Sequence, residues 1–173
     1  DSSENDIWVG LIHPYNWNNA DGNKIFYSNN GGLTYTNWTT TLLNGEGITN
    51  IEFYRGSSGG IYVGSRKTVF YRDKTMSNWV TFGTGMPLPT ASVKILPWYL
   101  EGKMRNASNR GVFESPVHTL QKPSVQISAD KLKSACVRDT LFLVDYSAHY
   151  KTGATFFWTI TPSPSYISSR SVE

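Results

Sequence analysis

The chain has 173 residues, of which 14% are aromatic and 17% charged, and it contains 15 glycines. This composition favours short strands joined by tight turns and predicts an all-β protein. The formal net charge of +3 comes without a basic block and is too small to argue for a nucleic-acid partner, and no apolar run is long enough to cross a bilayer. Cys136 is the only cysteine, which excludes an internal disulfide and a thiolate metal cluster.

A repeated pattern dominates the first two thirds of the chain. Residues 6–10 (DIWVG) are echoed by residues 60–64 (GIYVG). The aromatic residue Phe26 returns as Phe70 and then as Phe113, after 44 and 43 positions. Several landmarks in the same order and at nearly the same spacing indicate an internal structural repeat.

In the first copy, alternating apolar and polar residues predict four half-buried strands. They cover residues 7–12, 24–27, 35–38 and 49–53. We expect these four strands to form one antiparallel unit, with residues 55–60 (RGSSGG) as the turn that leads into the next copy. A repeat of this length with four short strands is typical of a β-propeller blade rather than of a helical solenoid.

An Asn-Trp dipeptide recurs within the repeat. It ends at Trp38 in the first copy and at Trp79 in the second, a step of 41 positions. We therefore expect Trp38 and Trp79 to occupy equivalent places in successive units, where they fill the core.

The segment SNNGGLTY, between two predicted strands, resembles the Asp-box, or BNR repeat, of sialidases, sortilin-type receptors and xyloglucanase-like hydrolases. The pattern is carried by Ser28, Asn30, Gly32, Thr34 and Tyr35, with Asn for the usual Asp and Tyr for the usual Trp. In these families the box stabilises a hairpin away from the substrate face, so the resemblance implies a structural role. We expect a positive φ at Gly32 and a largely buried ring at Tyr35.

The third copy resembles the ending by which sortilin-like propellers of secreted Bacteroidetes proteins leave their last blade. The matching residues are Lys103, Arg105, Ala107, Arg110, Gly111, Val112, Phe113 and Glu114. The resemblance implies that the propeller ring closes here and that further blades precede Asp1. Residues 1–114 are therefore expected to be the C-terminal part of a propeller, with about two blades and the start of a closing one.

The rest of the chain is expected to form a linker and a second domain. Residues 115–123, with prolines near both ends and no alternation, are predicted to be the linker. Residues 124–173 carry three predicted strands, at 125–129, 136–145 and 155–160. They resemble the opening of a PKD domain, an immunoglobulin-like fold, through RDT in the second strand, DYS after it and FWT in the third. More strands follow in that family, so we expect a truncated domain.

Residues that could carry chemistry are few. The histidines lie far apart without partners at metal-ligand spacing, so we expect no metal and no cofactor. The acidic residues of the repeats stand singly, which offers no carboxylate pair for glycoside hydrolysis, and no nucleophile motif is present, so we expect no catalytic residue. Tyr15 and Trp17 lie in an aromatic, Asn-rich loop missing from the second copy, and they are the candidates for ligand binding.

These observations favour a non-catalytic fragment of a large exported multidomain protein that binds or scaffolds at the cell surface. The expected partners are a glycan or another surface protein, besides the rest of its own polypeptide at both ends. The resemblance implies an extracellular location, with targeting signals outside this chain. In the alternatives, the parent is a glycoside hydrolase whose catalytic acids lie in upstream blades, or a peptidase whose catalytic domain lies elsewhere.

Overall fold

The structure, a computed structural model, describes residues 5–12, 21–99, 101–119, 127–129 and 143–145. In these residues the chain is all-β, as its composition predicts. Twelve strands pair only in antiparallel fashion, and a single turn of 3-10 helix lies at Thr41–Leu43 within the same ranges.

The strands form three sheets and a separate two-stranded ladder. The first sheet contains β1 (Ile7–Gly10), β2 (Ile25–Ser28) and β3 (Thr36–Asn37). The second contains β4 (Ile48–Tyr54), β5 (Gly60–Ser65), β6 (Val69–Arg72) and β7 (Val80–Thr81). The third contains β8 (Ser92–Trp98), β9 (Lys103–Ser108) and β10 (Gly111–Pro116). The ladder pairs β11 (Ile127–Ala129) with β12 (Leu143–Asp145).

The assignment of residues 49–53 to the first unit is wrong. They belong to β4, which is the first strand of the second sheet and pairs with β5 from Ile48↔Ser65 to Tyr54↔Gly60. The glycine-rich turn that follows is therefore a hairpin inside the second sheet and not a connection between copies. Gly56 and Gly59 have φ values of +80° and +68°, which lets five residues reverse the chain.

The repeat itself is confirmed by strand pairing. β4 and β8 match residue for residue at a step of 44, since Ile48 pairs with Ser65 and Ser92 with Ser108 at the two strand starts. Both strands carry a register shift directly after that first pair. The aromatic series also holds, because Phe26, Phe70 and Phe113 pair with Val9, Val63 and Asn106 on the adjacent strands.

The predicted equivalence of Trp38 and Trp79 is wrong by three residues. The backbone N–H of Trp38 donates to the Ile25 carbonyl at 2.8 Å, and the N–H of Phe82 makes the same bond to the Val69 carbonyl at 2.7 Å. Trp38 therefore corresponds to Phe82, and Trp79 corresponds to Tyr35. A repeated dipeptide does not fix the register, because strand pairing is decided by contacts with the neighbouring strand.

Each sheet has two faces of different character. In β5, Tyr62 points towards the third sheet, while Ile61 and Val63 point towards the first, as strand alternation requires. We call the side that meets the following sheet the forward face and the opposite side the backward face. β4 contacts β1, so the forward face of the first sheet meets the backward face of the second. β8 contacts β4 and β5, so the forward face of the second sheet meets the backward face of the third.

Two apolar clusters fill the spaces between the sheets. The first interface, between the first and second sheets, contains Ile25, Trp38, Leu43, Ile48, Ile61, Val63, Phe70 and Trp79. The second interface, between the second and third sheets, contains Tyr54, Tyr62, Val69, Tyr71, Ile95, Met104 and Val117. Because burial removes water from their hydroxyl groups, the pKa values of Tyr54, Tyr62 and Tyr71 are all raised, which keeps these rings neutral in the core.

The first residues of the predicted linker lie against the repeats. β10 continues through Pro116, and the N–H of the buried Val117 donates to the Gly102 carbonyl at 3.0 Å. The next backbone N–H, of His118, donates to the Tyr62 hydroxyl at 2.9 Å, and the His118 ring stacks on Tyr71 with 4.2 Å between centroids. Residues 120–123 of the linker and the strand predicted at 155–160 lie outside the described residues, whereas β11 and β12 fall within the other two predicted strands.

Two matched glycines provide a test of the packing between sheets. Gly10 in β1 and Gly64 in β5 hold the same place in successive copies, since they pair with Ile25 and Val69. A Cβ at Gly64 would lie 2.7 Å from the Ser92 Cβ and closer still to the Ser92 Oγ, whereas a Cβ at Gly10 would lie 3.5 Å from the nearest atom, Ile25 Cδ1.

We expect Gly64→Ala to lower the free energy of unfolding by about 1–3 kcal/mol, because the added methyl group overpacks the space where β5 meets β8. Gly10→Ala is the matched control and should stay within about 0.5 kcal/mol of the parent. Urea denaturation of the three proteins measures both effects. Equal effects of the two substitutions would contradict the described packing.

Candidate functional site

The turn from Ser28 to Tyr35 is closed by its own side chains. The buried Ser28 hydroxyl accepts the N–H groups of Asn30 and Gly32 at 3.3 and 2.9 Å and donates to Asn30 Oδ1 at 2.9 Å. Asn30 Oδ1 also accepts the Thr34 N–H at 3.0 Å, and Asn30 Nδ2 donates to the Thr34 hydroxyl at 2.8 Å. One donor and two acceptor sites exhaust the Ser28 hydroxyl, so this group has no capacity left for a ligand.

Two expectations for this turn have opposite outcomes. The positive φ of Gly32 is confirmed at +89°. The expectation that the Tyr35 ring is largely buried is wrong, since the residue is 47% exposed. The equivalent Trp79 is 3% exposed because the first sheet covers it, and the described residues place no sheet against the corresponding face of the first sheet.

The second copy closes the same turn with a different residue. Asp73 Oδ1 accepts the N–H and the hydroxyl of Thr75 at 2.9 and 2.6 Å, and Asp73 Oδ2 accepts the Tyr71 hydroxyl at 3.2 Å. The turn from Arg72 to Trp79 therefore keeps its length although the Ser and Asn of the first copy are replaced. Local closure by side-chain oxygens is what the two turns share.

We expect Asn30→Ala to lower the free energy of unfolding by about 1–2 kcal/mol, since the change removes three side-chain hydrogen bonds in a partly exposed turn. The exposed neighbour Asn29 supplies the control, and Asn29→Ala should change stability by less than about 0.5 kcal/mol. Thermal and urea melts give the values. An unchanged melt for Asn30→Ala would mean that these bonds do not hold the turn.

A cluster of charged and aromatic side chains connects the first sheet to the second. Asp6, with 4% of its side chain exposed, accepts the Tyr27 hydroxyl at 2.5 Å and pairs with Lys74. The Lys74 ammonium also lies over the rings of Tyr27 and Trp8, 5.2 and 5.7 Å from their centroids. Burial acts to raise the pKa of Asp6, but the hydrogen bonds from Lys74 and Tyr27 outweigh it and hold that pKa below its ordinary value. All three polar groups are engaged with one another, which favours a structural role.

No sequence pattern predicts that Lys24 is buried. Lys24 is 1% exposed, and its ammonium donates to the carbonyls of Leu43 and Glu46, both at 2.6 Å, and pairs with Asp21 at 2.8 Å. Three oxygen partners use all three ammonium protons. The Glu46 carboxylate in turn accepts the hydroxyl of the buried Ser65 at 2.7 Å. This cluster lies at the ends of the strands, where it ties the chain between β3 and β4 to the first sheet.

We expect Lys24→Met to destabilise the protein by about 2–4 kcal/mol, because it leaves the buried carbonyl groups of Leu43 and Glu46 without a donor. Lys67→Met is the matched control: the Lys67 side chain is 52% exposed and lies 3.3 Å from Glu46, so its loss should cost no more than about 1 kcal/mol. Comparison of both variants with the parent by urea denaturation checks this. A mild effect of Lys24→Met would contradict the described burial.

The third sheet carries an exposed network of charges on its forward face. Glu114 lies 2.8 Å from Lys103 and 2.8 Å from Arg105, and Lys103 also lies 3.0 Å from Glu101. Hydrogen bonds from Lys103 and Arg105 lower the pKa of Glu114, which favours its ionised form. The Arg105 guanidinium covers the Trp98 ring, 4.8 Å from its centroid.

An open groove of about 180 Å³ lies between the second and third sheets, beside β10. Its walls are formed by Val69, Phe82, Thr84, Gly85, Met86, Met104, Asn106, Phe113, Glu114 and Ser115. Two aromatic rings and two thioether groups line the groove together with four polar side chains, of which the Asn106 amide is buried. Such a lining suits an apolar guest that brings a small number of hydrogen-bonding groups.

The candidate ligand loop with Tyr15 and Trp17 lies outside the described residues. Within the described ranges, no group of three metal-binding side chains comes together, and no helix has the length and apolar character needed to span a membrane. No family model, no curated protein and no solved structure matches this chain.

Proposed function

We propose that this chain is a non-catalytic, extracellular part of a larger exported protein, in which propeller-type sheets form a rigid body for binding at the cell surface. A PKD-type domain follows the sheets and acts as a spacer. The partner is a glycan or another surface protein, bound through the loop that contains Tyr15 and Trp17. The observation that carries this proposal is the residue-by-residue equivalence of successive sheets together with their forward-to-backward packing.

The stacking geometry supports the propeller architecture. The second sheet has four short antiparallel strands and the first and third sheets have three each, and every sheet turns the same face to its successor, as consecutive propeller blades do. The bulge conserved between β4 and β8 gives both inner strands the same local bend. A solenoid built from helices is inconsistent with these strands.

Exposure of the first sheet supports a further sheet before it. In the second sheet, Val63 and Phe70 are buried on the backward face by the first sheet. Their equivalents Val9 and Phe26 are only half-buried, and Tyr35 on the same face is exposed. Apolar side chains with β-strand spacing are favoured at such positions when another sheet covers them.

The described carboxylates support a non-catalytic role. Those that lie close together are shared with basic groups, as Glu101 and Glu114 are with Lys103, and Asp6 with Lys74. A basic group beside a carboxylate favours its ionised form, whereas glycoside hydrolysis requires a protonated acid next to an ionised carboxylate. Internal hydrogen bonds also occupy the polar side chains of Ser28, Asn30 and Lys24.

The proposal is tested by incubating the purified chain with a panel of soluble glycans and measuring both binding and release of reducing ends. We expect saturable binding to at least one glycan without any product. Trp17→Ala should weaken binding roughly tenfold or more, because an aromatic platform supplies much of the affinity for a sugar ring. Asn30→Ala is the control and should bind like the parent wherever it is folded.

Two outcomes would overturn the proposal. Product release that is abolished by substituting one carboxylate of this chain would make it an enzyme, which is the alternative of a glycoside hydrolase. Binding that is lost in Asn30→Ala but retained in Trp17→Ala, with both proteins folded, would move the site from the loop to the box turn.

A further inference from the structure

The three methionines of the chain have different surroundings. Met104 is 4% exposed and belongs to the second interface, where it packs among tyrosine rings. Met76 is half-buried against the same interface. Met86 is half-buried too, but it lines the open groove beside β10. Met104 also borders that groove, so burial is what separates the two: small solutes that enter the groove reach Met86 more readily than Met104.

The side chain of Met86 is held in one place by its own turn. Its backbone N–H donates to the Gly83 carbonyl at 3.1 Å, which closes a tight turn after β7. A Cβ at Gly83 would lie 2.6 Å from the Met86 Cε, so the methionine methyl group fills the space beside this glycine. The thioether is therefore folded back over the turn and has a defined neighbour on its other side.

That neighbour is a buried amide. Asn106, on β9, is 1% exposed, and its Oδ1 accepts the Ser92 hydroxyl at 2.6 Å. Its Nδ2 lies 3.7 Å from the Met86 sulfur, which is its contact among the described residues. A thioether is a weak acceptor, so this buried N–H group has a poor partner. A stronger acceptor on the same atom would make a better hydrogen bond to the amide.

We propose that Met86 is a site of reversible oxidation by hydroperoxides and that the Asn106 amide donates to the sulfoxide oxygen. A lone pair of the sulfur attacks one oxygen of the hydroperoxide, an S–O bond forms and the O–O bond breaks. The departing oxygen takes up the proton of the transferred oxygen and leaves as water or an alcohol. The sulfur is oxidised by two electrons, and the hydroperoxide is reduced. This modification goes beyond the proposed function and does not depend on it.

The same step has a different cost at Met104. There the new oxygen would lie in the apolar second interface, where a buried polar atom without a donor is unfavourable. At Met86 the oxygen gains the Asn106 donor, and the flexible thioether side chain can adjust to it. Oxidation therefore leaves the packing of the sheets intact and makes one wall of the groove polar. Methionine sulfoxide reductases restore the thioether.

The first experiment treats the whole 173-residue chain with hydrogen peroxide for increasing times and maps the oxidised methionines by peptide mass spectrometry. We expect Met86 to be oxidised roughly tenfold or more faster than Met104, because susceptibility follows exposure. In urea, where the fold is lost, the rates should become equal. Equal rates at Met86 and Met104 in the folded chain would overturn the proposal.

NMR of the Asn106 side-chain amide tests the new hydrogen bond. Its proton resonances should shift on peroxide treatment of the parent and return after treatment with a methionine sulfoxide reductase. Met86→Leu is the control, since it removes the sulfur at similar volume, and peroxide should leave its Asn106 resonances in place. Resonances that stay unchanged in the parent, or that shift equally in Met86→Leu, would overturn the assignment of Asn106.

Two matched substitutions measure what an oxygen costs at each place. Glutamine has nearly the length of methionine and carries a carbonyl oxygen close to the position of the sulfoxide oxygen. Met86→Gln should keep the urea midpoint of the parent, because Asn106 donates to the new oxygen. Met104→Gln should lower the midpoint by roughly 1 M or more, because its oxygen is buried in the apolar interface. A loss of stability in Met86→Gln as large as that in Met104→Gln would contradict the proposal.

Discussion

The packing of one sheet's forward face onto the next sheet's backward face is the constraint on which the rest of the structure depends. Its centre is a cross-strand pair of aromatic rings, Trp8 with Tyr27 in the first sheet and Tyr62 with Tyr71 in the second. Both pairs have 4.9 Å between ring centroids. Tyr62 and Tyr71 are fully buried, so each of these rings contributes about 2–3 kcal/mol, whereas Trp8 and Tyr27 are half-buried and contribute less.

The third sheet departs from this rule at one pair of positions. Arg105 and Glu114 stand where the earlier sheets have aromatic rings, and they are joined by an ion pair of 2.8 Å. An ion pair tolerates water, whereas an uncovered pair of tyrosine rings would expose a large apolar surface. The forward face of the third sheet is therefore suited to a polar neighbour or to solvent.

The sequence predicts the local features of the fold well because local features depend on few residues. The spacing of 44 and 43 residues can be read from three phenylalanines. The positive φ of Gly32 can be predicted because a glycine, which has no Cβ, stands in a tight turn. Pairing between strands is different, since it depends on residues far away in the chain. The alternation in residues 49–53 therefore predicts a strand correctly but places it in the wrong sheet, and the repeated Asn-Trp dipeptide matches Trp38 to Trp79 instead of Phe82.

Features that depend on neighbouring sheets were the hardest to predict. Tyr35 has the pattern of a buried residue, and its exposure is decided by which sheet lies beside it. A lysine next to a strand is usually exposed. Lys24 is buried because its ammonium donates to the Leu43 and Glu46 carbonyls, which lie in the connection between β3 and β4. Residues 117–119 look like a linker, yet tyrosines of the second sheet provide partners for them. No local pattern reports these contacts.

The polar cluster around Lys24 means that the repeats are not interchangeable building blocks. At the positions that correspond to Lys24 and Glu46, one copy later, stand Thr68 and Thr90, both buried. Where the Lys24 ammonium bonds to the Leu43 carbonyl, the Thr90 hydroxyl bonds to the Pro87 carbonyl. The boundary between two sheets is thus encoded jointly by residues of both. Exchange of whole units in a chimaera would preserve stability only if the cut points fell within the strands and kept each Lys-Glu or Thr-Thr set intact.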